Sequence, residues 1–231
     1  MSTAKLVFDI ETIGSDFDSL DKMSKTYLLK YAQDDEEETA IKEGTGFYPL
    51  TGEIVVIGML NPDTGQGKIL ARNDKVTDLP KELEPGISIE QGSEKVILEK
   101  FWETIKQYDC FISFYGRGFD APFLMMRSAI LGVRPSKNLV ANRYVNSQPF
   151  NTKHIDLADQ FSFYGASRRH FPLHMWAKAF GIESPKEQGI TGDNITALYN
   201  EGKLLDIVKY NLRDLRSTLE LYKKWDAYLN I

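Results

Sequence analysis

The chain lacks several features that would fix a function class from composition alone. It has a single cysteine, Cys110, so no internal disulfide and no thiolate zinc cluster can form. It has no basic excess. Lys and Arg number 28 against 33 Asp and Glu, a formal net charge of −5 with a pI near 5.4. That implies no broad electrostatic grip on duplex nucleic acid, and leaves open a nucleic-acid enzyme whose metal ions hold the phosphates. No apolar run is long enough to span a bilayer, so no membrane partner is expected. There are no internal repeats, low-complexity tracts or linkers. The first residues lead directly into a strand, without a signal peptide, and the expected setting is soluble, cytoplasmic and reducing. What is present, 231 residues with 42% hydrophobic content, suits one globular domain with a sizeable core.

The most informative stretch is Phe8-Asp9-Ile10-Glu11-Thr12. Lys5 to Phe8 reads as a buried strand that ends in two carboxylates. Alternate strand residues share a face, so Asp9 and Glu11 lie side by side, roughly 6–7 Å apart along the strand. Two poorly solvated carboxylates repel, and a bound divalent cation is the simplest cure. Asp-x-Glu alone recurs by chance, and on that motif alone an exposed strand end with two solvated acids is the favoured reading.

Further along, Leu20, Met23, Tyr27, Leu28 and Tyr31 recur at helical spacing and predict a short amphipathic helix. The acidic run Asp34 to Glu38 reads as a solvated helix end or loop, and Gly44 to Pro49 as loop. Ile54 to Leu60 is a near-continuous apolar strand. Asn61 to Gly65 supplies turn chemistry, and Lys68 to Ala71 pairs back antiparallel. A polar loop follows. Ser93 then caps a helix whose apolar face is Ile97, Phe101 and Ile105. Cys110 to Phe114 is a short buried strand. The next helix opens at Phe119-Asp120-Ala121-Pro122, with Asp120 as its expected N-cap, and stops near Gly132. His154 to Leu157 is a strand; Pro172 to Phe180 and Asn194 to Tyr199 are helical. The last helix starts near Lys203 and buries Leu204, Val208, Leu215, Leu219 and Tyr222. This order predicts an α/β fold with a mixed sheet.

Ligands of open α/β sheets gather at the carboxyl ends of strands. Asp9 and Glu11 sit at one such end, and Asp120 just past another, after the Gly116-Arg117-Gly118 turn. Tyr210 and Asp214 are four residues apart on the last helix and share a face that borders the core. Each has a plainer reading, as an N-cap for Asp120 and a surface pair for Tyr210 and Asp214.

Three motifs in this order, FDIET (8–12), SFYGRGFDAPFL (113–124) and YNLRD (210–214), resemble the DEDD family of 3′–5′ exonucleases in its tyrosine branch. The resemblance is strongest to the proofreading-type exonuclease domain of family B DNA polymerases, and it covers essentially the whole chain. It implies a ribonuclease H-like fold with a central five-stranded mixed sheet flanked by helices. It implies one exonuclease domain over 1–231 with a partly helical insertion at about 14–52. By position, Asp9, Glu11, Asp120 and Asp214 would hold two Mg²⁺ or Mn²⁺ ions, and Tyr210 would orient the attacking water. Ile10, Thr12, Tyr115 and Phe119 would face the substrate. Two ions about 3.5–4 Å apart stabilise the attacking and leaving oxygens of an in-line displacement. A tyrosine titrating near 10 is a poor base at neutral pH, so orienting water is the role that fits it.

The chain departs from the family at Tyr115, where Asn is usual, and in the length of the 14–52 insertion, whose helix is expected to pack on the body, with a lid or a partner surface as the alternatives. His154 and Asp156 are expected to be a satisfied structural pair. Arg168-Arg169-His170 is either an exposed loop or a phosphate contact, and Phe161, Phe163 and Tyr164 are expected in the core. The implied activity is metal-dependent hydrolysis of single-stranded DNA ends, with DNA favoured over RNA. Two alternatives stay open: an exoribonuclease on short RNA, and a degenerate nucleic-acid-binding module. Lys209, five residues before Asp214, argues against the histidine branch, and the four retained carboxylates argue against degeneracy.

Overall fold

Alternation along the first strand sets the layers of the molecule. The computed structural model describes residues 3–74, 79–183 and 192–231, except for the side chain of Asp193. Strand β1 spans Lys5–Gly14. Leu6, Phe8 and Ile10 face one side and join a core with Ile97, Phe101, Phe111 and Leu124. Val7 and Ile13 face the other, in a core with Ile207, Val208 and Leu215. The period-two rule puts Asp9 and Glu11 on that second face, between Val7 and Ile13. β2 (Gly52–Leu60) and β3 (Gly67–Arg72) form the expected antiparallel hairpin beside β1. A bulge in the β1–β2 pairing skips Val55, so Val55 and Val56 both enter the second core.

Among the described residues the sheet has seven strands, not the five expected, in the order β4-β5-β3-β2-β1-β6-β7. The extra two, β4 (Glu82–Glu84) and β5 (Ile87–Gly92), occupy the stretch read as polar loop. β5 buries only Ile87 and Ile89 between polar residues. β4 is a three-residue charged edge, a common way of blunting a sheet margin. Neither has the apolar density that identified the other strands. On the far side of β1 lie β6 (Cys110–Ser113) and β7 (Lys153–Asp156), both parallel to it.

The insertion holds two helices, α1 (Lys22–Leu28) and α2 (Asp35–Glu43). Asp21 and Asp34 cap them, and the acidic run fills the first turn of α2, where the helix dipole favours negative charge. Neither helix buries a residue. The apolar face expected to pack on the body is open: Met23 is 83% exposed and Tyr27 73%. Periodicity says which residues share a face, not that the face has a partner. The insertion is anchored instead by its last turn, Gly44–Phe47. Thr12 Oγ1 donates to Gly46 O at 2.8 Å and Thr45 Oγ1 to Ser15 O at 2.9 Å. The approach is so close that a Cβ on Gly14 would lie 2.1 Å from Thr45 Oγ1.

On the first face sit α3 (Glu94–Thr104), capped by Ser93, and α4 (Asp120–Ile130). A buried pair ties them together, with Arg127 Nε and Nη2 donating to the Glu94 carboxylate at 2.8 and 2.6 Å. On the second face sit α5 (Leu157–Phe161), α6 (Leu173–Ala179), α7 (Ile195–Asn200) and α8 (Leu204–Tyr228). All five apolar residues expected to line the last helix are buried. Each fully buried side chain such as Leu215 contributes roughly 1.5–3 kcal/mol, which fixes α8 across β1 and β2. Phe161 is core, but Phe163 is not: it sits at φ +49° in the turn after α5 and is 61% exposed.

Candidate active site

The site forms where β1 outruns its neighbour. Parallel pairing with β6 ends at Val7–Ile112, and β1 continues for seven residues along an open edge. Asp9 and Glu11 lie on this overhang, facing α8. Opposite Asp9 on β2 is Gly58. A Cβ there would lie 1.9 Å from Asn211 Oδ1 and 2.6 Å from Leu215 Cδ1. Glycine in mid-strand thus lets α8 descend onto the carboxylates.

That descent brings Asp214 to Asp9 and Glu11. Ligand oxygens of these three residues all lie within 4.8 Å of one another. Between them, Asn211 Nδ2 donates to Asp9 Oδ2 at 2.8 Å and reaches Glu11 Oε1 at 3.5 Å. The amide must face this way because carboxylates only accept. Its Oδ1 is buried against the Gly58 Cα without a hydrogen-bond donor. Sequence reasoning missed Asn211. The available signals were its place three residues before Asp214, on the same helical face, and the glycine inside an apolar strand.

Asp120 approaches from the other side. It was expected to cap α4, yet it is the first residue of that helix and the cap position is Phe119, with no side-chain bond. Asp120 Oδ1 instead accepts the backbone N–H of Ile10 at 2.9 Å, taking the place that a β6 carbonyl would fill if the ladder continued. The turn before it is held by Asp156, whose two oxygens accept from Tyr115 N and Arg117 N, each at 2.9 Å. His154 and Asp156 are both satisfied structurally, though not by each other. The His154 ring nitrogens meet Ser113 Oγ and Leu139 O, and burial depresses its pKa to about 4.

Burial above all, then the charges of Asp120, Glu11 and Asp214, hold Asp9 well above the usual carboxylate range. Burial and Asp214 do the same to Glu11. Burial pushes Asp120 up to about 7 against the stabilising Ile10 N–H. Tyr210 is buried, and burial followed by the charges of Asp214, Glu11 and Asp9 raises its phenol far above its ordinary value; its hydroxyl bonds to Asp214. A phenol so disfavoured as phenolate keeps its proton and serves as a donor.

The residues assigned to substrate by resemblance are placed differently from one another. Ile10 is buried in the first core, and Phe119 packs on Phe123 with ring centroids 5.4 Å apart. The Thr12 hydroxyl is tied to Gly46 O. Tyr115 stands open, 52% exposed and at φ +62°.

The donor set fits hard divalent cations. It offers only carboxylate oxygens, largely withdrawn from water, and one neutral amide cannot offset three clustered charges. Asp9, Glu11 and Asp214 would form the core of such a site, with Asp120 completing it from α4.

Known proteins are similar to this chain in sequence and fold. A "DNA polymerase 1" from Aeropyrum pernix is 26% identical over 183 residues, spanning 75% of this chain and 18% of the polymerase. The chain thus corresponds to under a fifth of that relative's length. The solved family B DNA polymerase of the hyperthermophilic archaeon Pyrobaculum calidifontis superposes with a TM-score of 0.62 over 97% of this chain and 25% of the polymerase, at 20% identity. That likeness shows the fold, a mixed sheet flanked by helices as in a polymerase exonuclease domain of ribonuclease H-like type. Residues 69–229 match the family described as "predicted 3′–5′ exonuclease related to the exonuclease domain of PolB"; Asp120, Tyr210 and Asp214 fall inside the match, and Asp9 and Glu11 before it. More than half of the chain lies within that match, so the chain belongs to the predicted 3′–5′ exonucleases related to the exonuclease domain of PolB.

Proposed function

We propose that this chain is a metal-dependent 3′–5′ exonuclease that hydrolyses single-stranded DNA ends to nucleoside monophosphates. The observation that carries the reading is the convergence of Asp9, Glu11 and Asp214 within 4.8 Å, with Asp120 bonded to the backbone between the first two. Asp9, Glu11, Asp120 and Asp214 would hold two Mg²⁺ or Mn²⁺ ions. When bound, two such ions supply positive charge for the attacking and leaving oxygens of a phosphoryl displacement.

The chain's own residues do the rest. The Tyr210 hydroxyl keeps its proton on Oη and orients the nucleophilic water as a hydrogen-bond partner, since its raised pKa removes it as a base. Asn211 spaces Asp9 from Glu11 and holds them toward Asp214.

The test is digestion of end-labelled single-stranded DNA and RNA with Mg²⁺ or Mn²⁺, beside Asp9→Asn and Asp214→Asn. Stepwise loss of monophosphates from the 3′ end of DNA, abolished in both variants, is expected. Faster digestion of RNA would replace DNA by RNA as the substrate. No metal-dependent hydrolysis of either strand would overturn the reading in favour of a binding module.

A further inference from the structure

Tyr115, in the turn that leads to Asp120, lines a cavity of about 250 Å³ that the proposed chemistry does not use. It joins two features that lie far apart in sequence, Tyr115 and the Arg169–His170 run. One wall carries Phe171 and Trp176, which meet edge-on at 6.3 Å, with Ala158, Ser162 and Pro172 beside them, and the Arg169 guanidinium lies over Phe171 at 5.1 Å. The other wall is Tyr115, whose ring meets His170 edge-to-face at 6.3 Å. The far end of the Tyr115 ring rests on Gly118, where a Cβ would come within 2.8 Å of Cζ.

Tyr115 is in the left-handed region, which is disfavoured for a bulky aromatic and tolerated by asparagine. Such a residue persists only where its surroundings fix it. Here the buried Asp156 carboxylate does so, taking the amides of Tyr115 and Arg117. The backbone shape that suits the family's usual asparagine is therefore kept, and a half-exposed phenol is carried on it.

We propose that this cavity is a nucleobase subsite, in which a base near the 3′ end of the strand stacks on Tyr115 while Arg169 and His170 meet its phosphates. The inference rests on the exonuclease reading above. Three observations select the occupant. The volume is below the ~300–1,000 Å³ of drug-sized ligand sites, enough for one ring system. Its walls carry the flat rings of Tyr115, Phe171 and Trp176, which can bind bases of any sequence by stacking. Its rim carries the Arg169 guanidinium and the His170 ring, both exposed, and the turn that bears Tyr115 runs directly into Asp120.

The test uses the full chain and oligodeoxynucleotides carrying one abasic residue at each of the last four positions. Tyr115→Asn removes the ring yet accepts the backbone conformation, and Tyr115→Phe keeps the ring. In the wild type, one abasic position should lower kcat/KM by about 5- to 150-fold, the worth of one base–aromatic stack. Tyr115→Asn should show that loss already on the intact strand and no further loss at that position, while Tyr115→Phe behaves as wild type. Binding by fluorescence anisotropy in Ca²⁺ should show the same pattern without turnover. Hydrolysis that ignores all four abasic positions, or an unchanged abasic response in Tyr115→Asn, overturns the subsite and leaves the exonuclease standing. A wild type that hydrolyses nothing fails the exonuclease reading instead, and the anisotropy comparison then decides the subsite alone: equal binding of intact and abasic strands overturns it.

Discussion

Gly58→Ala tests the close approach on which the site depends. The added methyl would lie 1.9 Å from Asn211 Oδ1 and 2.6 Å from Leu215 Cδ1. Neither neighbour is free to yield. Asn211 is fully buried and bonded to Asp9, and Leu215 is fully buried in the α8 core. The strand and helix must separate, an overpacking that costs roughly 1–3 kcal/mol. At ~2–4 °C per kcal/mol for a domain of this size, Tm should fall by about 2–12 °C. Because Asp214 rides on the same helix, the separation also draws it away from Asp9 and Glu11, and turnover should fall by more than stability alone explains. The double variant Gly58→Ala with Asn211→Ala discriminates between causes. Deleting the amide gives the methyl space, so part of the lost Tm should return, while turnover stays low because the two β1 carboxylates lose their tether. Thermal melts and initial rates on all three proteins decide the matter. A Gly58→Ala protein with wild-type Tm and turnover would refute the argument that glycine is required for α8 to reach β1.

Three further outcomes are expected. Tyr210→Phe should keep the fold and metal binding but lower turnover by roughly 10²-fold; wild-type turnover would remove the hydroxyl from the chemistry. Mn²⁺ at about 100 times its dissociation constant should add roughly 2.7 kcal/mol to stability, with a smaller gain in Asp9→Asn, and equal melting shifts in both would eliminate Asp9 as a ligand. His154, with a folded pKa near 4 against 6.5 unfolded, binds its proton only in the unfolded chain between those values, so stability is lost as pH falls from 6.5 toward 4. The window is worth about 3 kcal/mol, and denaturant titrations across it should show a steeper acid loss in wild type than in His154→Gln; identical slopes would contradict a buried neutral imidazole.

Much of the scaffold was legible because burial on both faces writes itself as continuous apolar sequence. Ile54–Leu60 and Cys110–Phe114 could be read for that reason, and the stripe from Leu204 to Tyr222 gave α8. β5 could not, since it buries only alternate residues and Ile87-Ser88-Ile89 is too short to stand out. Met23, Tyr27 and Tyr31 show the reverse error, a periodic face that covers nothing. At the site, the carboxylates could be picked out by their spacing, Asp9 and Glu11 on one strand face and Asp214 one helical turn after Tyr210, although β1 runs through the first pair to Gly14 instead of ending there. What holds them could not. Asp120 looks like a helix cap in sequence because the residue its side chain satisfies, Ile10, is 110 positions away. Asn211 is one polar residue among several on α8, and only the contact with Gly58 and Asp9 distinguishes it.

The bond between Asp120 and the Ile10 amide has a spectroscopic consequence. With one oxygen committed to that N–H, Asp120 has Oδ2 left to offer a cation. The amide itself sits between Asp9 and Glu11, on a strand edge, and a side chain rather than a neighbouring strand shields it from solvent. Its hydrogen therefore exchanges with solvent only when Asp120 lets go, whereas amides deeper in β1 exchange through opening of the sheet. Exchange at Ile10, followed residue by residue, is a direct clock for the breathing of α4 against β1.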